Sequence, residues 1–361
     1  MTRRFPFRYL EPTFFSGLLD DPVLYLHVRP SGRGLLFDCG QIQHLAKRVL
    51  RSVDALFVSH AHMDHFMGFD TFVRNNHVSP RTFDIYGPPG ITGKTAGKLA
   101  GYDWNLTERS WCTFRVHEVF SDRTATFILP GAEGFRCRPA SEEARRDRII
   151  HRTDWCRVEA ELCDHKIPSL IYRITEEPAF LIDDGKLERE GLVRGDWLRI
   201  LQKRFRYAFT DQSPVPVLRR RGETVEVLEV TEVRRLYEAI RREGRSAAVG
   251  YATDIGFTDE NLAKLVSFME GVTMLVCECT FLAADLDKAR LSHHLCTSDL
   301  NAIIDRLRPL FVLPMHLSKS YLGRSRLLYE ELHPPAGVAI LKRPEHVAPR
   351  PLLPSDVPPL L

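Results

Sequence analysis

The stretch S-H-A-H-M-D-H-F-M-G-F-D, residues 59–70, contains His60, His62, Asp64 and His65 within six positions. The 361-residue chain has 14 histidines, and three of them in one hexapeptide is a strong clustering. Imidazole nitrogens and carboxylate oxygens at this density suit zinc, with manganese or iron as alternatives. We therefore interpret the cluster as a metal site rather than as an exposed polar loop or a coincidence.

Strand-like and helical patterns flank the cluster. V-D-A-L-F-V-S (53–59) is typical of a buried strand, and in extended backbone beyond it His60 and His62 point to the same side. Residues 66–76 have the apolar spacing of a helix. Upstream, the runs 23–28 and 34–40 predict a hairpin, and residues 41–51 predict a helix.

Three further groups that can ligate a metal follow apolar runs. His165 comes after E-L-C-D, Asp254 ends Y-A-T-D, and His316 ends L-P-M-H. Each is followed by a predicted loop, so we expect all three at one edge of a sheet. With the cluster they give seven ligands, enough for two metal ions that share one bridging carboxylate.

Composition indicates a globular protein, with 44% hydrophobic and 27% charged residues and a net charge of +3. Arginine and lysine are dense in 145–152, 199–206 and 219–221, which suits a phosphate-rich partner or a solvated surface. The 8 cysteines form no C-x-x-C pair, which predicts a reducing, cytoplasmic setting. The sequence shows no signal peptide and no apolar run of about 20 residues, so we expect no membrane span.

We interpret residues 1–361 as a single α/β domain with two departures. Residues 183–222 are charged and weakly periodic, and we expect an arm or an insertion there; an RNA-gripping arm and a lid over the site both stay open. A strand is predicted near 337–342, and a proline-rich, loose tail from about residue 344.

The motifs together resemble the metallo-β-lactamase superfamily, and within it ribonuclease Z. H-A-H-M-D-H follows a strand, is preceded by L-L-F-D-C-G, and the later His, Asp and His come in that family's order. H-K-I-P-S-L-I-Y-R-I (165–174), C-E-C-T-F (277–281), S-H-H-L-C-T (292–297) and M-H-L-S-K-S-Y (315–321) are similar to its later motifs. Ile171, Cys277 and Cys279 differ from the family's pattern. The resemblance implies an αββα four-layer sandwich with the site at one edge of two sheets.

The resemblance also implies a role for each ligand. His60, His62 and His165 would hold the first metal, Asp64, His65 and His316 the second, and Asp254 would bridge them. Asp64 would also align the attacking oxygen. His294 is similar to the family's proton-donating histidine, with Glu278 orienting it. Asp38 is either a support for the site or a buried structural residue.

These implications predict a metal-dependent phosphodiesterase or endoribonuclease that cleaves precursor tRNA at its 3′ end and forms a homodimer. The alternatives are a related hydrolase acting on a small phosphodiester, ester or thioester, and a non-catalytic binding module with the same fold. Retention of all seven ligands argues against the binding module. Other histidines are interpreted as neighbouring, surface or core residues: His77, His117, His151 and His293.

Overall fold

A computed structural model of the chain describes residues 5–347. The chain divides into two compact units, one that runs to Glu176 and resumes at Ala247, and one that spans Glu177–Ser246. We call the first the body and the second the inserted unit. Among residues 5–347, no helix combines the length and the apolar character needed to cross a membrane.

Two sheets form the centre of the body. Within the described residues, the first sheet has eight strands in chain order: β1 (Leu10–Phe14), β2 (Leu24–Val28), β3 (Arg33–Phe37), β4 (Val53–Phe57), β5 (Thr82–Gly87), β6 (Thr113–Val119), β7 (Arg123–Pro130) and β8 (Arg138–Ala144). The second has seven: β9 (Ile149–Arg152), β10 (Cys156–Asp164), β11 (Pro168–Glu176), β14 (Ala248–Ala252), β15 (Met274–Glu278), β16 (Phe311–Met315) and β17 (Ala339–Ile340). Its spatial order is β17-β16-β15-β14-β11-β10-β9.

Helices cover the outer face of each sheet. Four accompany the first sheet: α1 (Lys47–Ser52), α2 (Met63–Phe66), α3 (Phe69–Asn76) and α4 (Ile91–Ala100). Four accompany the second: α8 (Asp259–Phe268), α9 (Leu286–Ser292), α10 (Thr297–Leu307) and α11 (Arg326–Glu331). Short 3₁₀ turns occupy Gly131–Glu133, Ala283–Asp285 and Lys319–Tyr321.

Side-chain alternation along the strands produces the layers. In β3, Leu35 and Phe37 belong to the apolar core between the two sheets, whereas Leu36 packs among the helices of the first sheet. A third apolar cluster joins the outer face of the second sheet to α8, α10 and α11. The order helix, sheet, sheet, helix confirms the predicted αββα sandwich.

Most predicted elements of the body are present, with two corrections. The hairpin of β2 and β3 is confirmed. The helix predicted over residues 41–51 is wrong in its first half, because α1 begins only at Lys47; Ile42 and Leu45 are buried at helical spacing without a helix. Strands β1, β8 and β9 were not predicted; in β8 every residue is exposed and no period-two pattern marks it.

The inserted unit has its own helices, hairpin and core. It contains α5 (Asp184–Arg189), α6 (Trp197–Arg206), β12 (Val215–Arg221), β13 (Thr224–Val230) and α7 (Val233–Ile240). Trp197, Leu201, Val217 and Tyr237 lie in one apolar cluster built from this unit alone. The sequence placed an insertion at 183–222, whereas the compact unit spans Glu177–Ser246.

The segment after β17 is held by the loop near residue 18. The amides of Leu18 and Leu19 donate to the carbonyls of Pro344 and Glu345 at 2.9 Å each. The ring of His346 donates to Asp20 at 2.7 Å. Residues 344–347 are therefore attached to the body, and the remainder of the predicted proline-rich tail lies outside the described residues.

Candidate metal centre

The predicted ligands lie where strands of both sheets end. β4 ends at Phe57, and the extended segment after it carries His60 and His62 before α2 begins at Met63. His165 follows β10, Asp254 follows β14 by two residues, and His316 follows β16 directly. β14, β15 and β16 are parallel, so their carboxyl ends meet at one edge.

Left-handed backbone turns these side chains out of the strands. Asp38, Asp254 and His316 have φ of 53°, 49° and 61°, a region that non-glycine residues adopt at a cost of order 1–3 kcal/mol each. Each is the first or second residue after a strand, where a left-handed residue ends the pleat. Such strained positions cluster at functional sites.

Three groups of ligand-type side chains converge here. Within each group the donor atoms lie within 4.8 Å of one another: His60, His62, His165 and Asp254; Asp64, His65 and His316; Asp254, Glu278, His294 and His316. The first two groups match the two ligand sets predicted from the sequence. All seven predicted ligands and both predicted proton-transfer residues are therefore gathered at one place.

Hydrogen bonds fix which ring nitrogen faces the centre. Nδ1 of His65 donates to Asp38 Oδ2 at 2.9 Å, and Nδ1 of His165 donates to the carbonyl of His293 at 2.7 Å. Nδ1 of His60 lies 3.1 Å from Ser59 Oγ, whose proton goes to Asp38. Each bond leaves the lone pair on Nε2, the nitrogen directed inward.

The inward atoms of His60, His65, His165 and Asp254 can all act as acceptors, and this arrangement fits a cation. Nε2 of His60, His65 and His165 lie 3.6, 3.3 and 3.6 Å from Oδ2 of Asp254. Tetrahedral ligands at about 2.0–2.1 Å from zinc are roughly 3.3–3.4 Å apart. Nε2 of His60 and His65 are buried without a hydrogen-bond partner among the described residues. The donor set therefore fits divalent metal binding.

The pKa values of His60 and His65 reflect their burial and the carboxylates beside them. Burial lowers the pKa of His60 to about 2, so its ring stays neutral, the form that binds a metal. Burial also opposes charge on His65, but the nearby carboxylates of Asp254 and Asp38 raise its pKa well above the ordinary value. The pocket therefore favours a positive charge between these groups.

Asp38 supports the centre from behind. It is fully buried, and its oxygens accept from the Ser59 amide at 2.7 Å, the Ser59 hydroxyl at 2.8 Å, the His65 ring and the Tyr251 hydroxyl at 2.8 Å. Of the two interpretations left open for this residue, the contacts favour the support of a ligand.

His294 and Glu278 form a pair beside the centre. Nδ1 of His294 donates to Glu278 Oε2 at 3.0 Å. Glu278 is fully buried and also accepts from the amides of Ile255 and Leu295 and from the hydroxyl of Thr280. Because these four donors use its lone pairs, Glu278 is better suited to hold His294 than to bind a metal. Burial lowers the proton affinity of His294, but Glu278 outweighs it and raises the pKa to about 9.

Sequence reasoning missed the partners that hold the ligands. Ser59 and Tyr251 bind Asp38, and Thr280 lies 3.1 Å from Nδ1 of His316. All three stand in quoted motifs, yet only the packed sheets bring them to the site. His293 contributes its backbone carbonyl, and its ring lies 3.3 Å from Asp164. His117 bonds to Asp84 and Thr126, and His77 packs beside Trp104 and Trp111.

Comparisons of sequence identify relatives over most of the chain. Residues 33–167 match the beta-lactamase superfamily domain. A ribonuclease Z of Deinococcus radiodurans is 31% identical over 303 residues, covering 81% of this chain and 85% of that protein. A ribonuclease Z of Anoxybacillus flavithermus is 26% identical over 302 residues, covering 81% and 79%.

Comparisons of structure agree on the fold. The metallo-beta-lactamase fold protein YhfI from Bacillus subtilis has a TM-score of 0.52 at 14% identity and covers 92% of this chain and 96% of its own. The short form of human tRNase Z has a TM-score of 0.50 at 13% identity, with the same coverages. With the site geometry and the identity to the Deinococcus protein, these findings establish that the chain belongs to the ribonuclease Z family of the metallo-β-lactamase superfamily.

Proposed function

We propose that this chain is a metal-dependent endoribonuclease that trims precursor tRNA at its 3′ end. The observation that carries the proposal is the convergence of seven ligand-type side chains at one sheet edge, in a chain 31% identical to a ribonuclease Z. The proposal includes two zinc ions as the native metals, a homodimer as the active form and the cytoplasm as its location.

The geometry of the side chains supports the proposed assignment of ligands. His60, His62 and His165 would hold one ion, and Asp254 would be shared by both sites. A second ion would be held by three side chains: Asp64, His65 and His316. Asp64 also positions the attacking water. Its side chain is 40% exposed, and its Oδ2 lies 3.0 Å from Nε2 of His316.

Two bound divalent ions supply Lewis acidity that makes water a nucleophile near neutral pH and neutralises charge on the phosphate. Burial opposes ionisation of Asp64, but the hydrogen bond from His316 and the nearby His65 lower its pKa below the ordinary range. Asp64 is therefore a carboxylate at neutral pH, able to hold the attacking water in line and to accept its proton.

His294 completes the reaction as the proton donor. Its Nδ1 is bonded to Glu278, so Nε2 carries the transferable proton, and a pKa of about 9 keeps the ring protonated at neutral pH. As the water oxygen bonds to phosphorus, the bond from phosphorus to O3′ breaks and O3′ takes the proton from His294. The products are a 3′-hydroxyl on the tRNA and a 5′-phosphate on the trailer. A positioned acid of this kind contributes about 10²–10⁴-fold.

The inserted unit provides the surface for RNA. Exposed cations lie on α6 and at the end of β12: Arg199, Lys203, Arg206, Arg219, Arg220 and Arg221. Lysine and arginine side chains of this kind contact phosphates without reading sequence. Affinity for RNA then falls with salt in proportion to the number of phosphate contacts.

The decisive experiment compares cleavage of a labelled precursor tRNA and of bis-p-nitrophenyl phosphate by the wild type, Asp64→Ala and Asp70→Asn, each with zinc or manganese. Asp70 is the matched control, because it lies on α3 in the same stretch and pairs with Lys98 at 2.7 Å. We expect cleavage just beyond the discriminator base by the wild type and Asp70→Asn, and its loss in Asp64→Ala. Turnover of the small diester alone would contradict the tRNA assignment, and no turnover of either would send the search to esters and thioesters.

A further inference from the structure

We propose that Ile167, Phe281 and Leu291 form a subsite for the nucleobase on the 5′ side of the cleaved bond. This inference rests on the proposed function, and specifically on His294 as the donor to O3′. The inference adds a requirement on the substrate: the base 5′ to the cleaved bond must be unpaired, and apolar side chains contact it. We call these three side chains the apolar rim.

The position of the proton donor sets where the leaving nucleoside lies. His294 must reach O3′ within about 2.6–3.2 Å, so the ribose that carries O3′ sits against the outer side of the His294 ring. The base on that ribose then contacts the residues on the side of His294 that faces away from the proposed metal ligands. This places it over the loops after β10 and before α10.

Two segments meet at this place through ring contacts and hydrogen bonds. The ring centroids of His165 and His294 are 4.7 Å apart, and the His165 ring donates to the carbonyl of His293. Nζ of Lys166 donates to the carbonyl of Leu291 at 2.6 Å, which joins the segment that carries Ile167 to the end of α9. The ring of Phe281 stands edge-on to that of His294 at 6.2 Å.

Large apolar side chains are exposed on these two segments. Leu291 is 75% and Ile167 37% exposed, and Phe281 is half-buried. Exposed residues of this size beside a catalytic group indicate a binding surface rather than a core. Burying such area against a planar base is favourable at about 25 cal/mol per Å².

The cations of the same loops are already engaged. Lys166 binds the Leu291 carbonyl, Lys288 pairs with Asp285 at 2.6 Å, and Arg290 holds both oxygens of Asp299 at 2.6 and 2.7 Å. The three side chains of the apolar rim therefore offer a nucleotide apolar contact. The rim accepts any base and favours the larger purines.

The test uses the metal-loaded full chain and two precursor tRNAs that differ at the nucleotide 5′ to the cleavage point, one with adenine and one abasic. Variants are Leu291→Ser, Ile167→Ser and the control Leu106→Ser, since Leu106 is also 75% exposed but lies between α4 and β6. Base stacking is worth about 1–3 kcal/mol, so we expect removal of the base to lower kcat/KM of the wild type by about tenfold or more.

Leu291→Ser and Ile167→Ser should lower kcat/KM on the adenine substrate by severalfold and leave the abasic rate equal to that of the wild type. Leu106→Ser should match the wild type on both, and metal content should be equal throughout. Equal losses on both substrates, or no loss on either, would overturn the subsite while leaving the endoribonuclease in place. A wild type that cleaves neither RNA would instead refute the proposed function, and the apolar rim with it.

Discussion

Asp38 shows how one buried carboxylate can control the orientation of the metal centre. Its two oxygens accept four hydrogen bonds, and one of them comes from the ring of His65. The carboxylate fixes the tautomer of that ring and orients Nε2 toward Asp254. It does this across the sandwich, since Ser59 follows β4 and Tyr251 belongs to β14.

Replacing Asp38 with Asn should weaken metal binding more than folding. The amide keeps the shape, but its NH₂ group can only donate. It must face either the Ser59 amide, which donates to Oδ1, or the donors of His65, Ser59 and Tyr251, which all reach Oδ2. We expect zinc affinity to fall by about 10–100-fold, measured by competition with a chromogenic chelator. Asp54→Asn is the control, because Asp54 pairs with Arg81 at the surface. An unchanged affinity in Asp38→Asn would show that His65 is oriented by other contacts.

Asp84 should make part of the stability depend on pH. Burial opposes its ionisation, but hydrogen bonds from His117 and Arg115 lower its pKa from 3.8 to about 2. The carboxylate therefore stabilises the fold above pH 3.8, and this contribution disappears as the pH falls toward 2. The shift corresponds to about 2 kcal/mol.

Urea unfolding of the wild type and Asp84→Asn at several pH values measures this contribution. We expect the difference in free energy of unfolding between the two to be constant from pH 7 to 5 and to shrink between pH 4 and 2. A difference that keeps its size at pH 2 would mean that Asp84 acts through packing rather than through its charge.

Elements with a buried face were predictable, and those without one were not. β3, β4, β14 and β16 are nearly all buried, and their apolar runs stand out in the sequence. β8 has seven exposed residues at the edge of the first sheet, so backbone pairing with β7 alone defines it. The ligands were predictable because they follow apolar runs, whereas Ser59, Tyr251 and Thr280 reach the site only through the packing of two sheets.

The close contact between α2 and the loop after β3 should make Gly68 indispensable. The amide of Gly68 donates to the carbonyl of Cys39 at 2.7 Å. A Cβ at Gly68 would lie 2.3 Å from the carbonyl oxygen of Gly40 and 2.7 Å from that of Cys39. Gly68→Ala must therefore displace α2, which carries Asp64 and His65, and we expect a loss of about 1–3 kcal/mol together with weaker metal binding.

Gly97→Ala is the matched control for that substitution. Gly97 lies inside α4, and an added Cβ would meet no atom within 4 Å among the described residues. Because alanine is the better helix former, we expect a gain of about 1 kcal/mol. Thermal unfolding and zinc titration of both variants measure the difference in stability and in zinc affinity. A Gly68→Ala variant as stable as the wild type, with the same zinc affinity, would contradict the prediction.

At the scale of the whole molecule, the inserted unit is a separable piece of the chain. It begins after Glu176 and ends before Ala247, and the amide of Glu176 donates to the carbonyl of Ala247 at 2.9 Å. The two ends are therefore neighbours on the body. The carboxylate of Glu176 also holds the amides of Tyr9 and Leu10, so a deletion must keep this residue.

Deleting residues 177–246 and joining Glu176 to Ala247 through a short glycine-serine linker should separate binding from chemistry. The body keeps all seven proposed ligands, so we expect bis-p-nitrophenyl phosphate turnover to stay within about twofold of the wild type. KM for precursor tRNA should rise at least tenfold. Its increase with salt concentration should also be much smaller than in the wild type. An equal loss on both substrates, with the body still folded by circular dichroism, would contradict this division of roles.

The proposed ligands are far apart in the sequence, and this determines at what point of translation the metal centre can form. His60 and His62 emerge early in translation, whereas His316 follows β16, which pairs with β15 inside the second sheet. At about 5–20 residues per second, a ribosome needs roughly 10–50 s to travel from the first ligand to the last. Throughout that interval the growing chain lacks His316, a proposed ligand of the second ion. A nuclease made beside ribosomal and transfer RNA would therefore stay inert until its sandwich is nearly complete.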